Sequence, residues 1–334
     1  MFPSMFFRNN SWPRLVPPHH LLHGNFSTIS TPFPTTNLNQ IKAPSTSFKS
    51  NADSGDPGAV DSGDPYLVKV VQGHSKEPQL PNDLTKRRFG EDSWFFSSTP
   101  SAEVLGVADG VGGWRDMGVD PGRFATELMS CCSRQAQRPE FDGKNPRELL
   151  IAGYRELTHR EQPVVGSSTA CLVALHRRDC TLYTANLGDS GFLVIRNGKI
   201  LHRSKEQTHA FNMPFQLTVP PTGKDDHFHF DQPEMAVSTS LSLQPHDLVL
   251  LATDGLFDNM PESMLLQMLK EIRSNSKRDL QEGASLVVEK ARELSLNSSF
   301  QSPFAIRARE NNIFYPGGGK PDDITLILAR VEVP

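Results

Sequence analysis

Three apolar runs of strand length border acidic residues in this chain. They are Val104–Ala108 before Asp109, Leu248–Thr253 before Asp254, and Ile324–Val331 after Asp322 and Asp323. A buried strand tolerates an unpaired carboxylate poorly, so each pattern predicts a strand whose aspartate lies at the rim of a sheet. The glycines after Asp109 and Asp254 permit a sharp turn there. Three acidic strand ends that are far apart in the chain predict one shared site rich in oxygen ligands.

The rest of the pattern predicts strands in consecutive groups, together with amphipathic helices. The first of the three apolar runs belongs to a strand predicted at Ala102–Ala108. Further strands are predicted at Leu67–Gly73, Ser93–Ser97, Thr169–Leu175, Thr181–Ala185, Gly191–Ile195 and Lys199–His202. Helices are predicted to begin at Asp120-Pro121 and Asn145-Pro146 and to lie near Pro261–Arg273 and Arg278–Leu296, with a loop-rich region at Thr208–Glu234. Because strands and helices do not alternate strictly, we predict an α+β fold of two packed sheets with helices outside.

The first 52 residues differ in composition from the rest of the 334-residue chain. They contain no Asp or Glu, four Lys or Arg residues, and many Ser, Thr, Asn and Pro. This composition is typical of a mitochondrial transit peptide, and a disordered tail without an address is the alternative. We therefore predict a mitochondrial, matrix location, with the cytoplasm as the alternative. Residues 53–65 are predicted to form a linker, and residues 66–334 one folded domain.

Composition also limits the possible partners. A net charge of −4 and a pI near 6.3 give no basis for a nucleic-acid partner. No stretch approaches the roughly 18 apolar residues that a membrane-spanning helix needs. The four cysteines form no C-x-x-C pair, and we expect them to be reduced and mostly buried; they are Cys131, Cys132, Cys171 and Cys180.

The acidic strand ends are the strongest candidates for chemistry. Carboxylate oxygens are the ligand type that hard divalent cations such as Mg²⁺ and Mn²⁺ prefer, so Asp109, Asp254 and Asp322 predict metal-dependent chemistry. The Gly317–Lys320 segment looks like part of a phosphate-binding loop. However, Pro321 follows it where Ser or Thr is needed, so it is predicted to be a flexible loop. Asp189-Ser190 is predicted to stabilise a loop.

Six motifs in a fixed order resemble those of the metal-dependent serine/threonine protein phosphatases of type 2C, the PPM family. They are Gly90–Ser93, Val107–Gly113, Gly166–Ala170, Ala185–Gly191, Ala252–Asp258 and Pro321–Thr325. The Gly112–Arg115 and Asp254–Met260 segments further resemble the mitochondrial PTC-seven-type branch. The resemblance spans about Lys86 to Arg330. It implies an αββα sandwich, in which two antiparallel sheets lie between helix pairs, and hydrolysis of phosphoserine and phosphothreonine in proteins.

The resemblance also implies a ligand set for two Mg²⁺ or Mn²⁺ ions per subunit. Asp109 would bridge both ions, and the Gly110 carbonyl would bind one of them. Asp254 and Asp322 would hold the second ion. A hydroxide bridging the ions would then attack phosphorus in line, without a phosphoenzyme.

Further implied roles concern the segment that precedes the first acidic strand. Glu91 and Asp92 would act at the first ion, in part through water. Arg87, four residues before Glu91, would bind phosphate, since a guanidinium matches phosphate in geometry and charge. Arg88 is its neighbour, so the sequence does not decide which of the two arginines matches the family's phosphate-binding position.

Three positions depart from the family pattern. Val111 stands where many members carry a histidine proposed as the general acid, so no general acid is assigned. Gly191 replaces a common Arg. Asp323 stands where Asn is common, and either adds ligand charge or caps the strand end. We expect a monomer that acts on phosphorylated proteins, and an inactive or weakly active scaffold that binds phosphoproteins is the alternative.

Overall fold

A computed structural model describes residues 63–79, 82–222, 231–272 and 276–334. The strands are β1 Tyr66–His74, β2 Asn82–Asp83, β3 Arg88–Phe89, β4 Asp92–Ser98, β5 Ala102–Asp109, β6 Gly166–Ser168, β7 Ala170–His176, β8 Thr181–Leu187, β9 Gly191–Arg196, β10 Lys199–Arg203, β11 Thr208–Ala210, β12 Met213–Pro214, β13 Leu217–Val219, β14 Val237–Ser242, β15 Leu248–Ala252 and β16 Ile324–Glu332. The α-helices are α1 Pro121–Ala136, α2 Pro146–Thr158, α3 Asp254–Phe257, α4 Glu262–Lys270, α5 Lys277–Ser295 and α6 Pro303–Glu310.

Two antiparallel sheets form the centre of the domain. The larger sheet has seven strands in the order β14-β8-β7-β5-β4-β3-β2, and the smaller has five in the order β1-β16-β15-β9-β10. β1 pairs with β16 along its whole length, from Tyr66 opposite Glu332 to His74 opposite Ile324. The predicted α+β class is therefore confirmed, and the folded domain includes the first strand that the hydrophobic pattern indicated.

The layers follow from which faces are apolar. Side chains from both sheets, such as Val107 and Ile327, share one buried cluster, which places a hydrophobic core between the sheets. A second cluster joins Leu128 of α1 to Leu172 of the larger sheet. A third cluster joins helices α4 and α5 to strands β15 and β16 of the smaller sheet. Helices thus cover the outer face of each sheet, as the αββα sandwich requires.

The predicted helix starts are confirmed by their caps. The Asp120 side chain accepts a hydrogen bond from the Gly122 amide at 3.1 Å, and Asn145 accepts one from the Glu148 amide at 3.4 Å. The sequence missed β14 and α6, and also the short elements β2, β3, β6 and α3. β14 exposes alternate polar residues at the edge of its sheet, so its hydrophobic pattern is weak. α6 is short and carries two arginines, which hides its apolar face. The region predicted as loop contains the short strands β11, β12 and β13.

The remaining sequence predictions are met in part. Cys131, Cys132 and Cys171 are buried, Cys180 is half-buried, and all four are free thiols. Among the helices of the described ranges, none combines the length and apolar character needed to cross a membrane. The predicted transit segment, residues 1–52, lies outside the described residues.

Candidate metal centre

Two acidic side chains meet at one rim of the larger sheet. Asp92 begins β4 and Asp109 ends β5, and antiparallel pairing sets them directly opposite each other. The backbone continues this contact, because the Gly110 amide donates to the Glu91 carbonyl at 3.2 Å. Asp109 is held by Thr169, whose hydroxyl accepts from the Asp109 amide at 3.1 Å. Strand register alone therefore brings Asp92 and Asp109 together.

The smaller sheet contributes its acidic residues at the same rim. Thr253 and Asp254 directly follow β15, and β16 begins directly after Asp323. The Thr253 amide donates to the Thr325 carbonyl at 3.1 Å, which aligns the two strand ends. The Thr253 hydroxyl also donates to Asp92 of the larger sheet at 2.8 Å. The three acidic strand ends predicted from the sequence thus converge.

Burial and mutual repulsion shift the pKa values of these carboxyl groups. Burial, and next the charges of Asp254 and Asp92, raise the pKa of Asp109 well above its usual range. Burial, with Asp323 second, has the same effect on the pKa of Asp92. Burial raises the pKa of Asp254 to about 6, although Lys320 opposes the shift. Such a cluster needs positive charge at neutral pH.

Two lysines supply part of that charge. The Lys320 ammonium lies 2.6 Å from Asp254, 2.7 Å from Asp258 and 3.3 Å from Asp322. Lys76 lies 2.9 Å from the other oxygen of Asp322. Although burial acts in the opposite direction, Lys76 and Lys320 lower the pKa of Asp322 to about 2. The sequence placed Lys320 in a flexible loop, whereas its side chain is in fact only 13% exposed.

Glu91 is fully engaged by cations. One of its carboxylate oxygens lies 2.8 Å from the Lys76 ammonium, and the other lies 2.6 Å from the Arg115 guanidinium. Neither oxygen is left over to approach a metal ion directly in this arrangement. The predicted role of Glu91 at the first ion, in part through water, is compatible with this position.

Asp323 has a clear structural role. Its two oxygens accept hydrogen bonds from the backbone amides of Lys76 at 2.7 Å and Glu91 at 2.9 Å. Gly90 packs against it so closely that a Cβ there would lie 2.1 Å from Oδ1 of Asp323. Of the two alternatives left open by the sequence, this geometry supports the structural one. An Asn would lose one of the two acceptors.

Three carboxylate oxygens of the cluster are available to divalent cations. They are Oδ1 of Asp92, Oδ1 of Asp254 and Oδ1 of Asp189, and each is buried without a hydrogen-bond partner among the described residues. Within that part of the chain, no three His, Cys, Asp or Glu side chains form a ready-made metal-binding group. Mg²⁺ suits such a site, since it keeps several waters and needs few direct carboxylates.

Asp189 was not predicted as a site residue. It follows β8 in the motif Gly188-Asp189-Ser190, which the sequence assigned to loop stabilisation. Burial, and next the charge of Asp254, raise the pKa of Asp189 well above its usual range, so it belongs to the same electrostatic cluster. The Ser190 hydroxyl does stabilise the structure locally, through a 2.7 Å hydrogen bond with Thr169.

Two positions near the cluster are glycine because a side chain there would collide with its neighbours. A Cβ on Gly110 would lie 2.6 Å from the Pro121 carbonyl oxygen and 2.8 Å from that of Glu91, so no side chain fits beside Asp109. A Cβ on Gly191 would lie 2.4 Å from Oγ of Ser204. The family's common Arg at that position therefore has no room unless Ser204 moves.

The Arg87 side chain extends towards helix α1. Its guanidinium approaches the Ser133 hydroxyl of α1 at 3.5 Å, and it lines an open depression of about 440 Å³ together with Lys86 and Arg123. Arg88, the alternative, donates to both oxygens of Asp120, at 2.8 and 2.5 Å. The structure thus brings Asp92, Asp109, Asp254 and Asp322 to one rim, and the Arg87 guanidinium faces helix α1.

Comparisons with curated proteins agree with this architecture. A family model described as Stage II sporulation protein E (SpoIIE) matches residues 104–332. The chain is 72% identical over 271 residues to "Protein phosphatase PTC7 homolog fig" of Drosophila simulans, which covers 81% of this chain and 86% of that protein. It is 60% identical over 277 residues to the protein of the same name in Drosophila virilis, with 81% and 88% covered.

Solved structures show the same fold. The photosystem II phosphatase PBCP superposes with a TM-score of 0.65 at 28% identity, covering 79% of this chain and 98% of that one. The Mycobacterium tuberculosis serine/threonine phosphatase PstP/Ppp superposes with a TM-score of 0.50 at 15% identity, covering 80% and 99%, a likeness of fold alone. Taken with the relatives of high identity, these matches show that the chain belongs to the type 2C (PPM) family and is a protein phosphatase.

Proposed function

We propose that this phosphatase removes phosphate from phosphoserine and phosphothreonine in proteins and depends on two Mg²⁺ or Mn²⁺ ions per subunit. The observation that carries the proposal is the convergence of Asp92, Asp109 and Asp254 at one rim. There, within the described part of the chain, Asp92 and Asp254 each have one buried oxygen without a hydrogen-bond partner. The names of the Drosophila relatives support phosphoproteins as substrates.

Bound at this rim, divalent cations would supply a water of lowered pKa as the nucleophile and would neutralise charge on the phosphoryl oxygens. Asp109, the Gly110 carbonyl, Asp254 and Asp322 would hold them. Asp92 would do so through Oδ1, because its Oδ2 is bonded to Thr253. Glu91, already paired with Lys76 and Arg115, would act through water.

The side chains favour direct hydrolysis over a phosphoenzyme. Ser190 is the hydroxyl in the Gly-Asp-Ser motif beside the cluster, but it is fully buried and bonded to Thr169, so it is not placed to attack phosphorus. Val111 has no proton to donate, and no side chain is assigned as the general acid. Arg87 would bind the substrate phosphate from the basic depression that it lines.

The compartment and the organisation of the chain are part of the same proposal. Residues 1–52 lack acidic residues and would direct the protein to the mitochondrial matrix. Residues 53–65 would link this leader to the catalytic domain, which begins with β1 at Tyr66. Within that domain, we expect a monomer to suffice, because every predicted ligand comes from one chain.

The test is phosphate release by the full chain from phosphothreonine and phosphoserine peptides, with added Mn²⁺ or Mg²⁺ and with excess chelator. A phosphotyrosine peptide of the same sequence is the control for specificity. We expect release only with metal and only from the first two peptides. Release that persists in chelator would contradict the metal role. A folded protein that is silent with both metals would instead favour the phosphoprotein-binding scaffold.

A further inference from the structure

The Lys320 ammonium is a positive charge fixed among carboxylates. Its Nζ lies 2.6 Å from Asp254, 2.7 Å from Asp258 and 3.3 Å from Asp322. These partners come from two different strand ends, since Asp254 and Asp258 follow β15, and Asp322 precedes β16. A single ammonium therefore joins both halves of the acidic rim of the smaller sheet.

The backbone holds this lysine in place independently of its charge. The Lys320 amide donates to Oδ1 of Asn259 at 2.8 Å, and Nδ2 of Asn259 donates back to the Lys320 carbonyl at 2.9 Å. Asn259 itself is fully buried. The ammonium also lies 5.1 Å from the ring centre of Phe304, which covers it from one side. Its position is thus built into the fold.

The surroundings have more negative charge than one ammonium can neutralise. Asp254 is only 7% exposed, and its Oδ1 has no hydrogen-bond partner among the residues that the structure describes, while its Oδ2 contacts Lys320. Asp258 is shared with Arg307, which bonds its other oxygen. Asp189 lies near enough to interact with both Lys320 and Asp254. Oxygen atoms in this arrangement are ligands of the kind that a hard divalent cation binds.

We propose that the Lys320 ammonium is a tethered cation that occupies a cation-binding position formed by Asp254, Asp258 and Asp322, and that an uncharged residue at 320 opens this position to one additional divalent ion. The inference rests on the proposed function in assigning divalent ions to the same rim. It goes further by separating one position, held permanently by the protein's own charge, from the positions that exchangeable ions fill.

The test compares wild-type protein with K320M, whose uncharged side chain ends one atom short of the ammonium position. Bound Mn²⁺ is counted by equilibrium dialysis and elemental analysis at pH 8. We expect K320M to bind one more Mn²⁺ per chain than the wild type. In chelator, we expect its melting temperature to fall by about 10 °C, because buried carboxylates lose their partner. Added Mn²⁺ should recover most of that loss.

Three control variants make the comparison specific. K320R keeps a positive charge and should keep the wild-type metal count. K290M removes a lysine on α5 that pairs with Glu293 at the surface, and should change neither count nor melting temperature. The double variant K320M/D258N removes a carboxylate from the opened position, and should lose the additional ion.

Each outcome has one meaning. An additional ion in K320M that K320R and K320M/D258N lack supports the tethered cation. Equal metal counts in folded wild type and K320M overturn it, and K320Q provides the same comparison if K320M does not fold. The Mn²⁺ count of the wild type tests the proposed function, since a wild type that binds no Mn²⁺ would contradict the metal-dependent mechanism. The difference in Mn²⁺ count between wild type and K320M tests the role of Lys320.

Discussion

The hydroxyl of Thr253 donates a 2.8 Å hydrogen bond to Oδ2 of Asp92 and accepts one of 3.0 Å from the Thr325 amide. Asp92 belongs to the larger sheet and Thr325 to the smaller one, and Thr253 directly follows β15 of the smaller sheet. One buried hydroxyl therefore joins the two sheets at the acidic rim. It also fixes Oδ1 as the oxygen of Asp92 that has no hydrogen-bond partner among the described residues.

Replacing Thr253 with valine should weaken both the fold and the metal site. The valine leaves Oδ2 of Asp92 and the Thr325 amide buried without a partner, which costs about 1–3 kcal/mol for each such group. Orienting partners of metal ligands typically change metal affinity about 10–100-fold. Urea unfolding and Mn²⁺ titration measure the two effects. T253S keeps the hydroxyl and should stay near wild type, whereas a T253V protein with wild-type Mn²⁺ affinity would contradict this role of Thr253.

Asp254→Asn should leave the fold intact and nearly abolish turnover. The amide preserves the shape of the side chain but removes the charge that holds a cation. Metal ions contribute several kcal/mol of transition-state stabilisation, which corresponds to a loss of about a thousandfold in rate. Circular dichroism checks the fold, and phosphate release from a phosphothreonine peptide with Mn²⁺ checks the rate. Near-wild-type activity in this variant would refute the ligand assignment.

The stabilisation by metal should grow with pH. A carboxyl group with a raised pKa in the folded state binds protons that the unfolded chain releases, so its contribution to stability falls as pH rises from about 4 through the folded value. For Asp254, whose pKa is about 6, this amounts to on the order of 3 kcal/mol. Divalent cations replace those protons, and the rise in melting temperature on adding Mn²⁺ should be larger at pH 7.5 than at pH 5.5.

The difference with and without Mn²⁺ isolates this effect. Burial lowers the pKa of His74, which gives a pH dependence of opposite sign in both conditions, and subtraction removes it. D254N should flatten the pH dependence of the Mn²⁺ effect. A Mn²⁺ effect that is equal at both pH values in the wild type would show that the protons and the metal do not compete for the same carboxylates.

Gly255→Ala should destabilise the rim. A Cβ at this position would lie 2.0 Å from the Asp323 carbonyl oxygen, a backbone atom that cannot move without shifting the start of β16. Overpacking of this kind costs about 1–3 kcal/mol. Gly63→Ala is the matched control, since a Cβ on Gly63 meets no described residue within 4 Å. Chemical unfolding of both variants should separate them, and equal stabilities would show that the rim accommodates the methyl group.

Arg87→Met should raise the KM for phosphopeptides about tenfold, equivalent to about 1.4 kcal/mol of lost binding. Its guanidinium makes a long 3.5 Å contact with Ser133, so the fold should be unaffected. Lys86→Met removes a neighbouring charge whose side chain is 73% exposed, and it should leave KM near wild type. Equal changes in KM in the two variants would show that loss of positive charge in this region causes the effect, and not loss of Arg87 in particular. An unchanged KM in R87M would show that Arg87 does not bind the phosphate.

Much of the fold could be predicted because its signals are local. Alternating or continuous apolar positions marked the strands that build both sheets, and Asp120 and Asn145 marked the starts of two helices through bonds that span two or three residues. The Asp-Gly pairs at the ends of β5 and β15 could be recognised in the sequence for the same reason. A charge that directly follows a buried strand must lie at a rim, whatever the rest of the chain does.

Tertiary structure decided what neutralises those charges. Lys76 and Asp322 are 246 residues apart, and Thr253 and Asp92 are 161 apart, so no local pattern connects them. Lys320 followed three glycines and looked like part of a loop until the fold set it against Asp254. The sequence by itself determined which carboxylates stand at strand ends, because that depends on burial along one segment. Which lysine or hydroxyl meets each carboxylate depends on how two sheets pack, and only the folded chain specifies that.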